Sequence, residues 1–555
     1  MSFSRRAALL SAALLMVAQP VLAAPKAKAP ASSFTPSPEA IRAHMTFLAD
    51  DAMEGREAGT RGYDIAANYV AAQYALLGVK PGAANGSYLQ RVPLLAFKNA
   101  SEGSISLTGA DGKEQALKFG EDYLPSAQAQ TTEVSINAPL VFVGFGLVAP
   151  EKGRDDYAGL DVKGKIVVLL SGAPSSFQTE ERAHYGNGNV KRVEAAKRGA
   201  VGVITMSTAS GEKRRPFERG VVGYREWRMT WRDANDVGHV RGVSANNLAS
   251  ISHKAAGKLF AGAPTSLEAV LAAAETPEGA VKGFDLPFKA SVALKSEIEK
   301  RESSNVVGVI EGSDPALKAQ TIVLSAHLDH TGVNTHGTGA DKINNGALDN
   351  ASGIATLLEV ARGFKNAKTK PKRTILLVAV TAEEKGLIGS EYFANNPTVT
   401  KADIAANVNL DMPVLLYPFT DVIAFGADRS TLGPAVAKAA GRVGIALSGD
   451  PLPEEGLFTR SDHYRFVEQG VPSVFLMTGF QNGGEKAFKD FLATNYHKPT
   501  DDLNLPIDYA AAAKFALVNY EIARELADAR DRPVWKTGDF FGSQFAPAGH
   551  PSAAK

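Results

Sequence analysis

Histidine and carboxylate side chains recur in this chain directly after short apolar runs. Four such clusters lie at 327–329, 349–353, 383–384 and 411, and a fifth lies at 496–501, before the last helical pattern. Carboxylates forced together without a counter-charge repel one another and take up protons, so such a set needs a cation nearby. Imidazole and carboxylate ligands without thiolates suit zinc, or less selectively manganese or cobalt. The residue types therefore predict a metal centre, and two metals that share one carboxylate can activate water for hydrolysis.

The apolar runs before these clusters have the length of buried strands. They lie at 321–326, 374–380 and 406–410, and apolar residues recur at helical spacing between 354 and 361. Strands that alternate with helices predict an α/β domain, with a mixed, largely parallel sheet sandwiched by helices. Ligands bind such sheets in the crevice outside the carboxyl ends of the strands, so the clusters are expected to meet there.

Taken singly, each cluster has an ordinary structural explanation. A His-x-Asp is usually a surface polar pair, a Glu-Glu pair usually starts a solvated helix, and Asp-Asn-x-Ser-Gly is usually a cap and turn. All of them occur here in one order, each at the end of a predicted strand. That combination favours a common site.

The composition restricts the class of protein. The chain has 555 residues, is 45% hydrophobic and 21% charged, and is long enough for more than one domain. A formal net charge of +1 offers no electrostatic argument for nucleic acid or an anionic membrane surface as a partner. The sequence contains no cysteine, which excludes disulfides, a cysteine nucleophile and thiolate metal ligands.

The first 24 residues have the pattern of a secretory signal peptide. Arg5 and Arg6 precede an apolar run at 7–17, and small residues follow at 23 and 24. The run is shorter than the roughly 20 apolar residues that a membrane span needs. The mature protein is therefore expected to have no membrane span and to be exported to the periplasm or beyond, by the general or the twin-arginine route.

Changes in composition along the chain predict the domain boundaries. After the signal, residues 25–129 are expected to form the first part of the main domain, with a flexible leader at 25–37. A β-rich insert is predicted at 130–290, a catalytic domain at 291–532 and a loose tail at 533–555. None of the candidate ligands lies in the insert, so we expect the insert to cover the crevice without building it.

The motifs resemble those of the M28 family of metallopeptidases, which includes bacterial di-zinc aminopeptidases. The matching segments are Ser-Ala-His-Leu-Asp at 325–329, Gly-Ala-Leu-Asp-Asn-Ala-Ser-Gly at 346–353, Ala-Glu-Glu-Lys-Gly-Leu at 382–387, Asn-Leu-Asp-Met at 409–412 and Tyr-His at 496–497. Within the insert, segments such as Gly-Lys-Ile-Val-Val at 164–168 resemble the protease-associated (PA) domain that many members carry. Leu348 departs from relatives that often have a second acid there, but this is not a ligand position.

The resemblance implies two zinc ions per chain. His327, Asp349 and Asp411 would bind one zinc. Asp349 would bridge to the second zinc, whose other ligands would be Glu384 and His497. The peptide bond that follows Asp349 would be cis.

The resemblance also implies roles beside the metals. Glu383 would be the general base, and the Asp329 carboxylate would hold His327 in the right tautomer. Tyr496 could donate a hydrogen bond to the tetrahedral oxyanion or simply pack beside its neighbour. Asp462 lies in a segment that resembles one near the substrate.

The expected function is that of an exported aminopeptidase, which removes single residues from the N-termini of peptide substrates. A carboxypeptidase or dipeptidase on the same scaffold is the alternative, for which Arg460 is the one nearby hint of a carboxylate pocket. A glutaminyl cyclase has a similar fold but typically operates with one zinc. A catalytically silent binding protein would have lost ligands, and every mapped ligand position here carries a competent residue.

Two further segments are expected to serve structure. His330 and His336 lie in a Gly/Asn/Thr-rich loop, which is predicted to be solvated and not to supply a crevice rim or an extra metal contact. Trp227 and Trp231 lie in the basic stretch 224–232. They are predicted to pack in the insert and not to form a lid or a partner surface.

Overall fold

The computed structural model describes residues 34–335, 337, 339–547, 549 and 551–553. The predicted signal peptide and His336 lie outside the described residues. The helices are α1 (Pro38–Leu48), α2 (Arg61–Leu76), α3 (Thr179–Gly186), α4 (Gly188–Lys197), α5 (Ala209–Arg214), α6 (Arg219–Val222), α7 (His253–Leu259), α8 (Leu267–Ala274), α9 (Ser352–Asn366), α10 (Ile388–Asn395), α11 (Leu432–Arg442), α12 (His463–Val467), α13 (Gly484–Thr494), α14 (Tyr509–Asp528) and α15 (Phe540–Phe545).

The strands range from two-residue pairings to a strand of 27 residues. They are β1 (Lys80–Pro81), β2 (Leu89–Asn99), β3 (Ser104–Thr108), β4 (Glu114–Ala116), β5 (Tyr123–Pro125), β6 (Glu133–Phe142), β7 (Val148–Ala149), β8 (Arg154–Asp155), β9 (Ile166–Leu170), β10 (Gly202–Met206), β11 (Arg228–Trp231), β12 (Asn246–Ile251), β13 (Phe284–Ile310), β14 (Thr321–His327), β15 (Gly332–Val333), β16 (Ile343–Asn344), β17 (Thr374–Val380), β18 (Ile404–Leu410), β19 (Asp421–Phe425), β20 (Ala446–Ser448), β21 (Ser473–Thr478), β22 (Trp535–Lys536) and β23 (Ser552–Ala553).

The main sheet has a parallel centre with antiparallel neighbours. Its order is β11-β2-β13-β17-β14-β18-β21-β19-β20. The four central strands, β17, β14, β18 and β21, run parallel. All residues of β14 and β18 are buried, as expected for strands that are covered on both faces. The predicted mixed, largely parallel sheet is confirmed.

Helices cover both faces of this sheet because alternate side chains of each strand point to opposite sides. Leu324 joins the large apolar cluster that includes the buried residues of α9 and α14. Its neighbour Val323 joins a second cluster with Phe393 of α10 and Phe466 of α12. The continuous apolar run in β14 therefore serves two cores at once.

A second sheet shares β13 with the first. Its order is β4-β3-β13-β6-β9-β10-β12-β5, and β6, β9, β10 and β12 run parallel. We call residues 104–294 the second-sheet region. The second sheet starts at β3, well before the predicted boundary at residue 130, and the boundary predicted between 290 and 291 falls inside β13. The described residues belong to one compact unit, because one strand is part of both sheets.

Both predicted loose ends are more ordered than expected. Phe34, in the predicted flexible leader, is buried, and its ring centroid lies 4.8 Å from that of Tyr520. In the predicted loose tail, Trp535 and Phe541 are buried, and the indole N–H of Trp535 donates to the carbonyl oxygen of Gly470 at 2.8 Å. Aromatic side chains within Gly/Pro/Ala-rich sequence anchor both segments. No helix in the described part of the chain is long and apolar enough to cross a membrane.

Candidate metal centre

Three central strands end side by side and deliver the polar clusters to one edge of the main sheet. His327 is the last residue of β14 and pairs in register with Val380, the last residue of β17. On the other side of β14, Ser325 pairs with Asn409 of β18, which places Asp411 beside the end of β14. Because the strands are parallel, their carboxyl ends open into the same crevice.

One group of donor atoms forms around His327. Its Nε2 lies 3.1 Å from Asp411 Oδ1 and 3.2 Å from Asp349 Oδ1. The three side chains are buried, and their donor atoms lie within 4.8 Å of one another. Asp349 belongs to a short π-helical turn, Ala347–Ala351, and the peptide bond between Asp349 and Asn350 is cis, as expected.

A second group forms on the other oxygen of Asp349. His497 Nε2 lies 3.3 Å from Asp349 Oδ2 and 3.1 Å from Glu384 Oε2. Glu384 follows β17, and His497 comes from the loop between α13 and α14, where its φ is 57°. The structure thus brings the five proposed ligands together, and Asp349 presents one oxygen to each group.

His330 belongs to this second group, although it was predicted to lie in a solvated loop. The residue is 0% exposed, and its Nδ1 lies 2.7 Å from Glu384 Oε1 and 3.8 Å from Asp349 Oδ2. Gly346, with φ of 60°, leaves room for the ring, since a Cβ there would lie 2.6 Å from His330 Cγ. The loop composition predicted solvation, but packing against the acid cluster buries this histidine.

The Asp329 carboxylate does not have the predicted role of holding the tautomer of His327. His327 Nδ1 lies 3.0 Å from the main-chain oxygen of Asp329, and an oxygen of this kind only accepts. This contact places the proton on Nδ1 and leaves Nε2 free for a metal. The Asp329 carboxylate instead accepts the backbone N–H groups of Glu383 at 3.1 Å and Glu384 at 3.3 Å. The carboxylate therefore positions the backbone of Glu383 and Glu384, while the main-chain oxygen of Asp329 fixes the tautomer of His327.

The charges of the cluster act strongly on the histidines. Burial opposes a charge on His327, yet the carboxylates of Asp411 and Glu383 raise its pKa well above the usual range. Burial likewise opposes a charge on His497, whose pKa rises to about 10 through its contacts with Asp349 and Glu384. The carboxylates therefore draw positive charge into the site, as a cation-binding centre must.

The acids themselves separate into two classes. Burial works against ionisation of Glu384 and Asp349, but hydrogen bonds from the histidines hold the pKa of Asp349 well below its usual value and that of Glu384 at about 2. Burial, assisted by the charges of Glu384 and Asp411, raises the pKa of Glu383 well above its usual value. Ligand carboxylates stay ionised, and Glu383 has the greater affinity for a proton.

Two buried groups behind the donors were not assigned a role from the sequence. The Asp501 carboxylate accepts the backbone N–H groups of Leu348 at 2.9 Å and Asp349 at 3.0 Å, which orients the turn that carries the shared ligand. Burial raises the pKa of Asp501 to about 6. Arg56, in a glycine-punctuated loop, is fully buried and donates to main-chain oxygens on three segments, at Leu48, at Leu328 and at 345–346.

A chain of hydrogen bonds fixes the outer oxygen of Asp411. Ser461 Oγ donates to Asp411 Oδ2 at 2.5 Å and accepts from Asn409 Nδ2 at 2.7 Å. Asn409 Oδ1 in turn accepts from Ser325 Oγ at 2.7 Å. Ser325 and Asn409 each lie two residues before a proposed ligand, within the motifs quoted above, whereas Ser461 lies far from any ligand in the sequence.

A cavity of about 100 Å³ opens onto the donor atoms. Its lining includes Glu383, Tyr496 and Arg460. The Tyr496 ring stacks on His497, with centroids 3.8 Å apart, and burial raises the pKa of its hydroxyl. Asp462 was expected near the substrate, but it is fully buried at the start of α12 and does not line the cavity. Burial raises the pKa of Asp462 to about 7.

The donor sets fit zinc. Each group offers imidazole nitrogen and carboxylate oxygen atoms, the ligands that zinc accepts in catalytic sites. His327 carries its proton on the nitrogen that faces away from the group, as metal-binding histidines do. One shared carboxylate between two donor groups is the arrangement expected of a two-metal site.

The chain is similar to known proteins. Residues 305–523 match the family model of "Peptidase family M28". The chain is 25% identical over 391 residues to "Probable glutamate carboxypeptidase AMP1" of Arabidopsis thaliana, covering 64% of this chain and 49% of that protein. It is 27% identical over 234 residues to "Probable leucine aminopeptidase 2" of Aspergillus fumigatus, covering 39% of this chain and 42% of that protein. The chain thus spans less than half the length of either curated relative.

A solved structure with the same fold covers most of the chain. "Aminopeptidase from Aneurinibacillus sp. strain AM-1" superposes with a TM-score of 0.50 at 20% identity, over 90% of this chain and 96% of that one. The matched family segment contains all five proposed ligands and Glu383. Residues 305–523 therefore match the peptidase domain of family M28.

Proposed function

We propose that the protein is an exported, two-zinc aminopeptidase that removes single, preferably apolar residues from peptide N-termini. The observation that carries this proposal is the pair of donor groups that share Asp349 at the floor of a small cavity. His327 and Asp411 would hold one zinc, and Glu384 and His497 the other. Export rests on the N-terminal sequence pattern.

Bound zinc would lower the pKa of a water molecule and polarise the carbonyl of the scissile bond. Glu383 lines the cavity, and its raised pKa suits a group that takes a proton from water and passes it to the leaving amine. The Asp329 carboxylate accepts the backbone N–H groups of Glu383 and Glu384, and so holds the proposed base beside the proposed ligand. Tyr496 also lines the cavity and is suited to donate its hydroxyl hydrogen to the oxyanion.

The size of the cavity supports cleavage of one residue at a time. At about 100 Å³ the cavity is small beside the roughly 300–1,000 Å³ of typical ligand sites, which favours recognition of a single side chain. Seven of the residues that line the cavity are apolar, which favours an apolar side chain on the removed residue. The apolar lining residues are Met412, Leu452, Leu457, Phe475, Met477, Phe488 and Leu492.

The charges around the cavity favour an amino group over a carboxylate. The carboxylate of Glu455, which is not a proposed zinc ligand, lines the cavity and would attract a protonated amine. Arg460 is the only arginine or lysine among the described lining residues, and its guanidinium lies 3.5 Å from Glu455 Oε2. A substrate carboxylate would compete with Glu455 for this cation.

A carboxypeptidase is the second candidate, since one similar protein is named a probable glutamate carboxypeptidase. The two activities separate on blocked substrates. We expect the zinc-loaded protein to release the first residue of Leu-Gly-Gly and to leave N-acetyl-Leu-Gly-Gly intact, as followed by mass spectrometry. Release of the C-terminal residue from the acetylated peptide would establish the carboxypeptidase instead.

Side-chain preference is tested on the same enzyme with aminoacyl-nitroanilides. Leucine, methionine and phenylalanine derivatives should be cleaved with kcat/KM at least about tenfold above glutamate and lysine derivatives, since burial of one such side chain is worth about 1.5–3 kcal/mol. Equal rates on all five would show that the apolar lining residues do not receive the side chain. Removal of metal with a chelator should abolish every rate, and zinc should restore it.

A further inference from the structure

A second, larger cavity lies in the second-sheet region and shares no lining residue with the cavity of the metal centre. Its volume is about 1020 Å³. Its floor comes from the carboxyl ends of three neighbouring parallel strands: Ser171 follows β9, Ser207 follows β10, and Ser250 lies near the end of β12. Ligands bind open α/β sheets at this edge, so the cavity occupies the position of a binding site.

The rim of this cavity is strongly basic. Four arginines line it, Arg214, Arg215, Arg219 and Arg228, against the single described carboxylate of Glu226. None of the four forms an ion pair with a carboxylate in the part of the chain that the structure describes, and each is exposed. Some arginines elsewhere in the chain do pair with acids.

Two arginines outside the cavity give the comparison. Arg241 contacts both Glu391 and Glu468, and Arg429 contacts both Glu180 and Asp539. The four cavity arginines, by contrast, have no such acid partner among the described residues.

The basic character is built into one segment of the sequence. Residues 212–232 contain seven lysines and arginines and three glutamates, in a chain whose formal net charge is +1. Trp227 lines the cavity and already lies 4.2 Å beneath Lys98 Nζ and 5.2 Å from the Arg301 guanidinium. Phe217 and Tyr224 add further aromatic surface. The sequence predicted that the tryptophans pack within the insert; Trp231 is buried, but it packs with Leu94 of β2 and Ile388 of α10 instead.

Free guanidinium groups select the chemistry of the ligand. Their forked donors match carboxylates, and such charge-assisted hydrogen bonds are stronger than neutral ones. The volume lies at the upper end of the roughly 300–1,000 Å³ that ligand sites span, so one small anion would fill little of it. The four arginines lie at two places in the basic segment, at 214–219 and on β11, and the aromatic rings and hydroxyls also line the cavity. This arrangement suits several carboxylates on one chain.

We infer that this cavity binds an acidic segment of a peptide, whose carboxylates pair with Arg214, Arg215 and Arg219. The site goes beyond the proposed peptidase activity, because it needs no residue of the metal centre. The aromatic rings would pack on the aliphatic parts of the bound segment, and the strand-end serines would donate to its backbone.

The test uses the full chain and a peptide that no exopeptidase can shorten. The probe is a fluorescein-labelled Ac-Glu-Gly-Glu-Gly-Glu-Gly-amide, and its counterpart has glutamine in place of glutamate. Fluorescence anisotropy should show the glutamate peptide binding at least about tenfold more tightly than the glutamine peptide, as expected from loss of one or more charge-assisted hydrogen bonds. The double variant Arg214→Ala/Arg215→Ala should lose a further tenfold or more for the glutamate peptide.

Matched variants keep the result interpretable. Arg61→Ala/Lys370→Ala removes two exposed cations outside the cavity and should bind like the unchanged protein. Arg219→Ala is a second cavity variant, should the double variant fail to fold, and should weaken binding in the same direction. Hydrolysis of leucine nitroanilide is measured on every variant and should not change, so failure of the peptidase proposal is seen separately from failure of this one.

Three results would overturn the inference. The first is equal affinity for the glutamate and glutamine peptides. The second is unchanged binding in both cavity variants. The third is full displacement of the probe by an equal concentration of inorganic phosphate, which would identify a small-anion site.

Discussion

Replacement of Arg56 by methionine tests how much the buried hydrogen bonds of this side chain stabilise the segments around the site. The guanidinium is fully buried, with Nε donating to Leu328 O at 2.9 Å and Nη2 to Gly346 O at 3.0 Å. Its Nη1 donates to Asn345 O at 2.6 Å and also to Leu48 O. One side chain therefore joins the end of α1, the residue after His327 and the segment that leads to Asp349.

The expected loss of stability follows from these contacts. Methionine fills similar space but donates nothing, so four buried carbonyl groups lose their arginine donor. An unsatisfied buried group costs about 1–3 kcal/mol, and relaxation or entry of water reduces the total, which gives an expected loss of about 4 kcal/mol. Burial lowers the pKa of Arg56 to about 10, so the group is charged at neutral pH and also offsets the charges of Asp501 and Asp329.

The assay is urea unfolding in the presence of a chelator, so that zinc binding does not contribute. Arg61→Met is the matched control, because Arg61 is exposed at the start of α2, and it should change the free energy of unfolding by less than about 0.5 kcal/mol. If Arg56→Met also stayed within about 1 kcal/mol of the unchanged protein, the guanidinium would not be what satisfies those carbonyls, and this reasoning would be wrong.

Three further perturbations separate chemistry, metal binding and stability. Glu383→Gln should keep both zinc ions, measured by mass spectrometry of the metal content, but lower kcat at least about 10²-fold, and near-full activity would exclude Glu383 as the base. His330→Ala should weaken zinc affinity about 10–100-fold in competition with a chromophoric chelator, whereas His184→Ala should not; equal affinities would show that His330 does not support the second group. Lys191 is buried, and burial lowers its pKa from 10.5 to about 7. Below pH 7 the folded protein bears the cost of a buried charge, and between about pH 7 and 10.5 the unfolded chain binds more protons, so stability rises with pH. The free energy of unfolding of Lys191→Met minus that of the unchanged protein should therefore be more favourable at pH 6 than at pH 9. A difference that does not vary with pH would contradict the assignment.

Strand ends were predictable because they follow from a simple pattern. The apolar runs before His327 and Asp411 are too continuous for an exposed strand, and parallel strands bring their carboxyl ends together. The local composition around His330 indicated solvent, and only the tertiary contact with Glu384 buries it. Similarly, the main-chain oxygen of Asp329 contacts His327, whereas its carboxylate accepts from Glu383. The spacing of residues in the sequence does not contain this distinction.

Domain boundaries were harder to predict for a physical reason. Strand β13 alternates buried and exposed residues along most of its length, so nothing in its sequence marks where one sheet gives way to the other. The tail looked loose because Gly, Pro and Ala dominate it, yet Trp535 and Phe541 bury enough apolar surface to hold it. Isolated aromatic residues in such segments are the signal that composition averages hide.

Anomalous diffraction at the zinc edge, from crystals grown with a zinc salt, tests the central claim most directly. The account predicts two peaks about 3.5–4 Å apart, with Asp349 between them, one beside His327 and Asp411 and the other beside Glu384 and His497. A single peak, or peaks that do not contact these side chains, would contradict a two-metal centre in this protein.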